Sequence, residues 1–180
     1  MELIKTSIEG LVVLKPRIFH DERGYFFESY NQNMFQSLGI TDVFVQDNQS
    51  FSKRGVVRGL HFQRPPYAQA KLVRVIKGSV IDVAVDIRKA SPTYGQHHAV
   101  LLSEENQLQF FIPVGFAHGF VALEDDTVFA YKCSNFYHKD SEGTIRFDDP
   151  TLQIDWKTEC PIVNEKDLQS ELFADFKSMF

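Results

Sequence analysis

Long apolar runs and clusters of basic residues are both missing from this sequence of 180 residues. No segment approaches the roughly 20 apolar residues of a membrane-spanning helix, and the apolar stretch near the N-terminus is too short for a signal peptide. The 19 lysines and arginines are outnumbered by 24 acidic residues and form no run that could neutralise a row of phosphates. We therefore expect a cytoplasmic protein that binds neither membranes nor nucleic acid.

Cysteine is also scarce. Cys133 and Cys160 form no CxxC motif, and one possible pair is weak evidence for a disulfide in a reducing compartment. We expect two unpaired thiols in the protein core. Internal repeats and low-complexity linkers are missing too, and a hydrophobic content of 43% is enough for one ordinary core. These features predict a single domain over residues 1–180.

Short stretches of alternating apolar and polar residues fill most of the chain, and Gly, Pro, Asn or Asp interrupts them every ~8–12 residues. This spacing is typical of a β-sandwich or barrel. The clearest stretch covers residues 72–87, where two apolar runs flank a turn at Lys77-Gly78-Ser79, and we interpret it as a β-hairpin. The other predicted strands cover residues 12–19, 24–29, 43–50, 57–63, 98–102, 109–112, 119–123 and 127–135.

Helical patterns occur at two places. Residues 33–38 predict a short helix that ends at Gly39. Asn164, followed three residues on by Asp167, can cap a longer helix over residues 165–180, in which apolar side chains recur every four residues. Many strands with helices only at the edges predict an all-β protein, a double-stranded jelly roll of the cupin architecture with short peripheral helices and a C-terminal helix. That fold hosts many chemistries, so function must be argued from a site.

One candidate site is a metal centre. Residues 113–118 have the P-x-G-x-x-H spacing of the second cupin motif, with His118 in the usual ligand position. The first motif, HxH followed by glutamate, is replaced by His61-Phe62-Gln63, and the adjacent His97 and His98 would point to opposite faces of a strand. One or two imidazoles are a poor site for a transition metal. We therefore expect no metal and no cofactor.

A second set of residues fits proton transfer beside a ketone. His61 lies in RGLHFQ with Arg58, Lys71 in QAKLVRV, and Tyr131 in VFAYKCS. Each of these residues alone is more often a packing or surface residue, but together they fall on strands that would line one interior. A neutral imidazole can remove a proton beside a ketone if a cation meets the developing enolate, and a phenol on the opposite face can return a proton with inversion.

Four segments carry a resemblance to a known family. RGLHFQ, QAKLVRVIKGSVIDVAVDIR, FFIPVGFAHGF and IRFDDPTLQIDW, in this order, closely resemble the dTDP-4-dehydrorhamnose 3,5-epimerase family over about residues 8–167. The resemblance implies a cupin homodimer that inverts C3 and C5 of dTDP-4-dehydro-6-deoxy-D-glucose without a metal, in dTDP-L-rhamnose biosynthesis. Phe62, where tyrosine is frequent, and Arg64-Pro65-Pro66-Tyr67 depart from the commoner family pattern and bear on how the substrate fits.

The resemblance also implies roles for single residues. His61 looks like the general base, Asp167 like the carboxylate that orients it, Lys71 like the enolate-stabilising cation and Tyr131 like the acid on the opposite face. The implied substrate-binding residues are Arg23, Glu28, Gln46, Asn48, Arg58, His118, Glu142 and Lys166. Strict alternation places Arg58 and His61 on opposite strand faces, so if both reach the substrate the strand must bend or bulge near Gly59.

Several alternatives remain open from the sequence. Related enzymes invert only C3 or only C5, and a CDP- or GDP-linked ketosugar is a further possible substrate. A catalytically idle sugar-binding or ketoisomerase-like cupin would be expected to lose the base or the acid, yet His61, Asp167 and Tyr131 are all present. A homodimer is also expected on physical grounds, because the apolar VVL segment near the N-terminus would otherwise leave an open sheet edge. Arg23 and Glu28 lie near that strand and could complete the partner's site.

Overall fold

Two antiparallel β-sheets form the framework of the protein, which the computed structural model describes over all residues 1–180. Two short helices, α1 Gln32–Ser37 and α2 Glu165–Leu168, lie outside the sheets. The thirteen strands are β1 Glu2–Lys5, β2 Val12–Lys15, β3 Phe19–Asp21, β4 Gly24–Phe26, β5 Gln46–Ser52, β6 Val57–Gln63, β7 Lys71–Lys77, β8 Ser79–Asp86, β9 His97–Ser103, β10 Gln109–Ile112, β11 Phe116–Ala122, β12 Thr127–Cys133 and β13 Glu142–Thr144.

The strands form a double-stranded jelly roll. One sheet has six strands in the order β1-β2-β10-β7-β12-β5, and the other has five in the order β13-β6-β11-β8-β9. Residues from both sheets share one apolar core, so the two sheets face each other, and the chain crosses between them repeatedly. Strands β3 and β4 pair only with each other and form an exposed arm, residues 19–26. The predicted all-β jelly roll is confirmed.

The five-stranded sheet is apolar on both of its faces. Alternate residues of β8 enter different cores: Val80 and Ala84 lie between the two sheets, whereas Val83 and Val85 lie on the outer face. The outer core is closed by aromatic side chains from the C-terminal part of the chain, namely Phe147, Trp156, Phe173 and Phe176. The C-terminal segment, residues 145–180, is therefore a structural layer of its own.

The predicted hairpin over residues 72–87 is wrong. Strand β7 pairs with β10 and β12 in the six-stranded sheet, and β8 pairs with β11 and β9 in the five-stranded sheet. Gly78, at φ +77°, marks the point at which the chain crosses from one sheet to the other. Strand β8 is buried along almost its whole length, so it needs a neighbour on each side and apolar cover on each face. A local turn signal cannot reveal which neighbours it finds.

The predicted C-terminal helix is also wrong beyond its first turn. The Asn164 side chain accepts a hydrogen bond from the Asp167 amide at 2.7 Å, as expected for the cap, but α2 ends at Leu168. Glu171 then bridges to Ile145, and the buried Asp149 carboxylate accepts a hydrogen bond from the amide of Phe173 at 2.7 Å. These tertiary hydrogen bonds, with the burial of the phenylalanine rings, outweigh the helical propensity of a short segment.

Other boundaries agree more closely with the sequence. The predicted strands 57–63 and 109–112 coincide with β6 and β10, and α1 is capped by Asn31 one residue earlier than predicted. The predicted strand 12–19 is divided between β2 and the start of β3, the strand 24–29 is shortened to β4, and the strand 43–50 is shifted to β5. Strands β1 and β13 are not predicted by the sequence. Both cysteines are free as expected, but Cys160 is exposed and only Cys133 lies in the core. No helix is long and apolar enough to cross a membrane.

The predicted irregularity at Gly59 is present. His61 lies opposite His118 and Arg58 lies opposite Phe120, so two residues of β6 face a single residue of β11. Gly59 adopts φ +130°, and a Cβ built on it would lie 2.5 Å from Cα of Gly119. Only glycine fits this close approach of two backbones.

We expect Gly59→Ala to lower the free energy of unfolding by about 3 kcal/mol or more, because backbone strain and steric overlap each cost about 1–3 kcal/mol. Gly24→Ala is a matched control, since Gly24 has a similar φ of +124° but no atom within 4 Å of the added Cβ. This control should lower the free energy of unfolding only by the cost of backbone strain, about 1–2 kcal/mol. Urea denaturation measures both values. Equal losses in the two variants would contradict the close approach.

Candidate active site

His61 and Asp167 form a hydrogen-bonded pair at the inner surface of the five-stranded sheet. Nε2 of His61 lies 2.8 Å from Oδ1 of Asp167, while the other carboxylate oxygen accepts a hydrogen bond from the amide of Gly59 at 3.3 Å. Asp167 is 1% exposed, whereas the His61 side chain is 32% exposed. Helix α2 thus brings the carboxylate to the bulge of β6, and the imidazole remains open to a ligand.

The charge of Asp167 fixes how the imidazole can act. Burial raises the pKa of this carboxyl group, but the hydrogen bonds from His61 and Gly59 outweigh burial and hold the pKa below its ordinary value. An ionised carboxylate only accepts hydrogen bonds, so a neutral His61 donates through Nε2 and keeps the lone pair on Nδ1. This nitrogen has no partner in the protein and can act as a base.

Lys71 is a half-buried ammonium group without an ion-pair partner. It lies on β7, and its Nζ reaches across to within 3.5 Å of the carbonyl oxygen of His61 on the opposite sheet. No carboxylate lies within 4.0 Å of it, although nine ion pairs occur elsewhere. Burial is the main cause that lowers the pKa of Lys71. An unpaired cation in a protected pocket can stabilise a developing negative charge on a ligand oxygen.

Tyr131 faces His61 from the other sheet. It lies on β12, next to β7, and the Lys71 ammonium is 5.9 Å from the centroid of its ring. Burial raises the pKa of Tyr131, so the phenol keeps its proton at neutral pH. The hydroxyl makes no hydrogen bond within the chain. The phenol is thus an available proton donor.

A cavity of about 310 Å³ lies between these groups. His61 lines it from one sheet and Lys71 and Tyr131 line it from the other. Gln46, Asn48 and Glu142, three of the predicted substrate-binding residues, also line it. Most of its wall is polar, as a site for a sugar requires.

The amide side chains of Gln46 and Asn48 are held in a defined orientation. Gln46 accepts a hydrogen bond from the amide of Tyr137 at 2.9 Å and donates to Asn48 at 3.0 Å. Asn48 in turn donates to the sulfur of Cys133 at 3.6 Å. Each amide group therefore has one hydrogen already committed and one left for a ligand.

Glu142 and Lys166 meet at the rim of the cavity. Nζ of Lys166 lies 2.5 Å from Oε2 of Glu142, and the hydroxyl of Tyr137 donates to the same oxygen at 3.2 Å. Burial raises the pKa of Glu142, but these two contacts outweigh it and hold the pKa low. The carboxylate is therefore charged and largely neutralised by Lys166.

Two predicted substrate-binding residues lie beside the cavity without lining it. Arg58 donates to the hydroxyl of Ser52 and to the carbonyl oxygen of Phe51, both at 3.2 Å. Its charge lowers the pKa of Tyr131 against the larger effect of burial, so the two side chains are near each other. His118 is 6% exposed and is hydrogen-bonded to Asp82 beneath the cavity.

Arg23 and Glu28 are not brought to the cavity by their own chain. Arg23 lies in the β3–β4 arm, its side chain is 85% exposed, and its ion-pair partner is Asp21. Glu28 accepts a hydrogen bond from Asn31. The predicted binding roles of these two residues therefore stay predictions.

Four further residues that the sequence reasoning missed line the cavity. Gln63 lies two residues after His61 and Cys133 two residues after Tyr131, so strand alternation could have identified both. Gln69 and Tyr137 lie in loops, where no periodic signal exists. The side chain of Gln63 also contacts the loop that carries Tyr137, because it donates to Phe136 and accepts from His138.

No cluster of three or more histidine, cysteine or carboxylate side chains could hold a metal ion. What the cavity does bring together is a base with its orienting carboxylate, a cation and a phenol. These groups come from two facing sheets, which lie about 10 Å apart in such sandwiches. A planar enolate held between the sheets would have the base on one side and the acid on the other. The geometry suits proton transfer next to a carbonyl group with inversion.

The chain resembles proteins of known function in both sequence and structure. A family model described as dTDP-4-dehydrorhamnose 3,5-epimerase matches residues 5–175. The enzyme of that name from Methanothermobacter thermautotrophicus is 53% identical over 167 residues, which cover 91% of this chain and 90% of the relative. A crystal structure of the 3,5-epimerase from Legionella pneumophila in complex with dTDP-4-keto-L-rhamnose is 49% identical, with a TM-score of 0.94 over 98% of this chain and 94% of that one.

A more distant relative is a 3'-monoepimerase from Streptomyces bikiniensis in complex with dTDP-quinovose. It is 31% identical, with a TM-score of 0.89 over 95% of this chain and 87% of that one. The greater likeness is thus to the 3,5-epimerases, and it extends over nearly the whole chain. The protein therefore belongs to the dTDP-4-dehydrorhamnose 3,5-epimerase family, and it is an isomerase.

Proposed function

We propose that this protein inverts C3 and C5 of dTDP-4-dehydro-6-deoxy-D-glucose and so forms dTDP-4-dehydro-L-rhamnose for dTDP-L-rhamnose biosynthesis. The observation that carries the proposal is the placement of His61 and Tyr131 on facing sheets with Lys71 between them. We further propose that the reaction uses no metal or cofactor. A cytoplasmic location remains a prediction from the sequence.

Each inversion is a proton removal followed by a proton return. Nδ1 of His61 takes the proton from the carbon next to the 4-keto group, and the electrons of that C–H bond pass to the ketone oxygen as an enolate. Lys71 stabilises the enolate oxygen through its unpaired N–H groups. Tyr131 then gives its phenolic proton to the opposite face of the carbon. Proton exchange with solvent returns His61 and Tyr131 to their starting forms.

The nucleotide portion would be held by the predicted binding residues. Asn48 and Gln46 each have a free amide hydrogen next to the cavity, and amide donors suit diphosphate and hydroxyl oxygens. Arg58 adds positive charge beside the cavity, and Lys166 offsets the charge of Glu142 at its rim. Arginine binds phosphate oxygens through forked hydrogen bonds. The dTDP-4-keto-L-rhamnose bound to the Legionella relative supports a dTDP-linked ketosugar as the ligand.

Inversion of a single carbon is the main alternative. C3 and C5 both adjoin the 4-keto carbon, so the same base and acid could act on one or on both, depending on how the ring is positioned. The identities of 53% and 49% to 3,5-epimerases, against 31% to a 3'-monoepimerase, favour inversion of both carbons.

We also propose a homodimer in which the arm of each chain completes the partner's cavity. The arm makes no strand pairing with the rest of its own chain, and it exposes Phe19, Tyr25 and Phe26 to 51%, 57% and 71%. Exposed aromatic side chains of this kind mark a protein interface. Arg23 and Glu28 are carried by or next to this arm and lie outside the cavity of their own chain.

The reaction can be tested by NMR of the purified protein with dTDP-4-dehydro-6-deoxy-D-glucose in deuterated buffer containing EDTA. We expect deuterium at both C3 and C5 and the L-rhamno configuration in the product, because both carbons become acidic next to the ketone. Exchange at one carbon alone would identify a mono-epimerase. Loss of activity in EDTA with recovery on adding Zn²⁺, Fe²⁺ or Mn²⁺ would contradict the metal-independent mechanism.

The shared cavity can be tested by mixing two defective chains. One chain carries His61→Ala, and the other carries Arg23→Ala with Glu28→Ala. Each homodimer should be poorly active, whereas the mixed dimer should recover roughly one normal site, built from the intact cavity of one chain and the intact arm of the other. Tandem affinity tags isolate the mixed dimer for assay. No recovery would mean that the arm acts within its own chain, and a fully active monomer in light scattering would remove the dimer proposal.

A further inference from the structure

Asp82 is a buried carboxylate with very little hydrogen bonding. It lies on β8 between the two sheets and is 0% exposed. Its one hydrogen-bond partner is Nε2 of His118, which lies 2.9 and 3.0 Å from the two carboxylate oxygens. Asp86, equally buried on the same strand, accepts hydrogen bonds from Arg88, Ser91 and Thr93. A buried charge normally needs such a set of partners or a nearby opposite charge.

His118 does not supply that opposite charge. Burial is the largest cause that lowers the pKa of His118; Asp82 raises the pKa and Lys71 lowers it, and the net direction is downward. The imidazole is therefore neutral at neutral pH and donates its Nε2 proton to the carboxylate. This hydrogen bond holds Asp82 in place, and the neutral imidazole supplies no positive charge to offset a carboxylate.

Lys71 has the complementary problem of a half-buried positive charge without an ion-pair partner. The titratable groups in its surroundings are Tyr131 and Cys133 on β12, Glu142 on β13, His61 on β6, His118 on β11 and Asp82 on β8. Burial lowers the pKa of Lys71, and Cys133, Asp82 and Glu142 oppose this effect.

Only one of these three opposing groups has an uncommitted negative charge. Burial raises the pKa of the Cys133 thiol, so the thiol is neutral at neutral pH. The charge of Glu142 is taken up by the 2.5 Å ion pair with Lys166. Asp82 therefore remains as the counter-charge available to Lys71 from inside the protein.

We propose that Asp82 is a positioning residue for the reaction: it keeps Lys71 protonated beneath the substrate, and His118 holds Asp82 in place without neutralising it. Because the two charges are not in direct contact, the ammonium group stays free to meet the enolate oxygen. The catalytic importance of this charge rests on the function proposed for Lys71, whereas the charge itself can be measured without substrate.

The test is Asp82→Asn, which keeps the shape of the side chain and removes its charge. Lys71 should then lose its proton more easily, and its pKa should fall by about 1–3 units, the usual effect of one nearby opposite charge. The ¹⁵N chemical shift of Nζ in lysine-labelled protein follows this titration, and Lys71→Ala identifies the resonance. The ammonium is the active form and is lost as pH rises through its pKa. The alkaline limb of kcat/KM should therefore move to lower pH by the same amount.

Two controls separate this effect from a general one. Asp155→Asn removes the same charge at an exposed position paired with Lys157, and it should leave both the Lys71 titration and the pH profile unchanged. His118→Gln keeps a donor for Asp82 and should leave the alkaline limb where it is, whatever its effect on affinity. A limb that moves equally in His118→Gln and Asp82→Asn would assign the role to the imidazole and overturn the proposal.

The inference is contradicted if Lys71 titrates alike in the wild-type protein and in Asp82→Asn. It is also contradicted if Nζ of Lys71 in the wild-type protein is already neutral at neutral pH. This measurement does not depend on whether any variant folds. A shifted titration combined with an unchanged pH profile would keep Asp82 as the counter-charge. That result would instead remove Lys71 from the proposed reaction.

Discussion

The packing of the C-terminal segment on the outer face of the five-stranded sheet is the constraint on which the site depends. Burial of Trp156, Phe173 and Phe176 there contributes about 1.5–3 kcal/mol for each side chain. Since this outer core stabilises the sheet from behind, the space between the sheets can hold polar and charged groups. The same segment carries Asp167 to the bulge of β6, so one packing event both stabilises the fold and assembles the base.

The space between the sheets combines apolar packing with a small number of ionisable groups. Asp82 and His118 are buried there and Lys71 is half-buried without direct neutralisation of the cation, an arrangement that costs stability and is typical of functional sites. The His61–Asp167 pair differs because its imidazole is open to the cavity. The His61–Asp167 and His118–Asp82 pairs are neighbours across β6 and β11. The imidazole of the first pair is open to the cavity, whereas the second pair lies beneath it.

Most of the strands could be predicted from the sequence, because strand alternation identifies them locally. Chemical type singled out His61, Lys71 and Tyr131, which the structure brings to one cavity, whereas Asp167 was assigned to the site only through the family resemblance. The errors arose where long-range packing decides the outcome. Gly78 looks like a hairpin turn, but the two apolar faces of β8 require neighbours that lie far away in sequence. The helical pattern after Leu168 gives way to hydrogen bonds with Asp149 and Ile145. The importance of Asp82 depends on what surrounds it in space, which no spacing in the sequence reveals.

The central claim is that the base and the acid act from opposite faces of the substrate, and solvent exchange measured alongside inversion tests it most directly. His61→Ala should abolish both deuterium uptake and epimerisation at C3 and C5. Tyr131→Phe keeps the base and the cation, so it should retain deuterium exchange but lose most of the inversion, because His61 returns a solvent-derived proton to the face from which it came. Equal loss of exchange and inversion in Tyr131→Phe, with folding and substrate binding intact, would contradict the account.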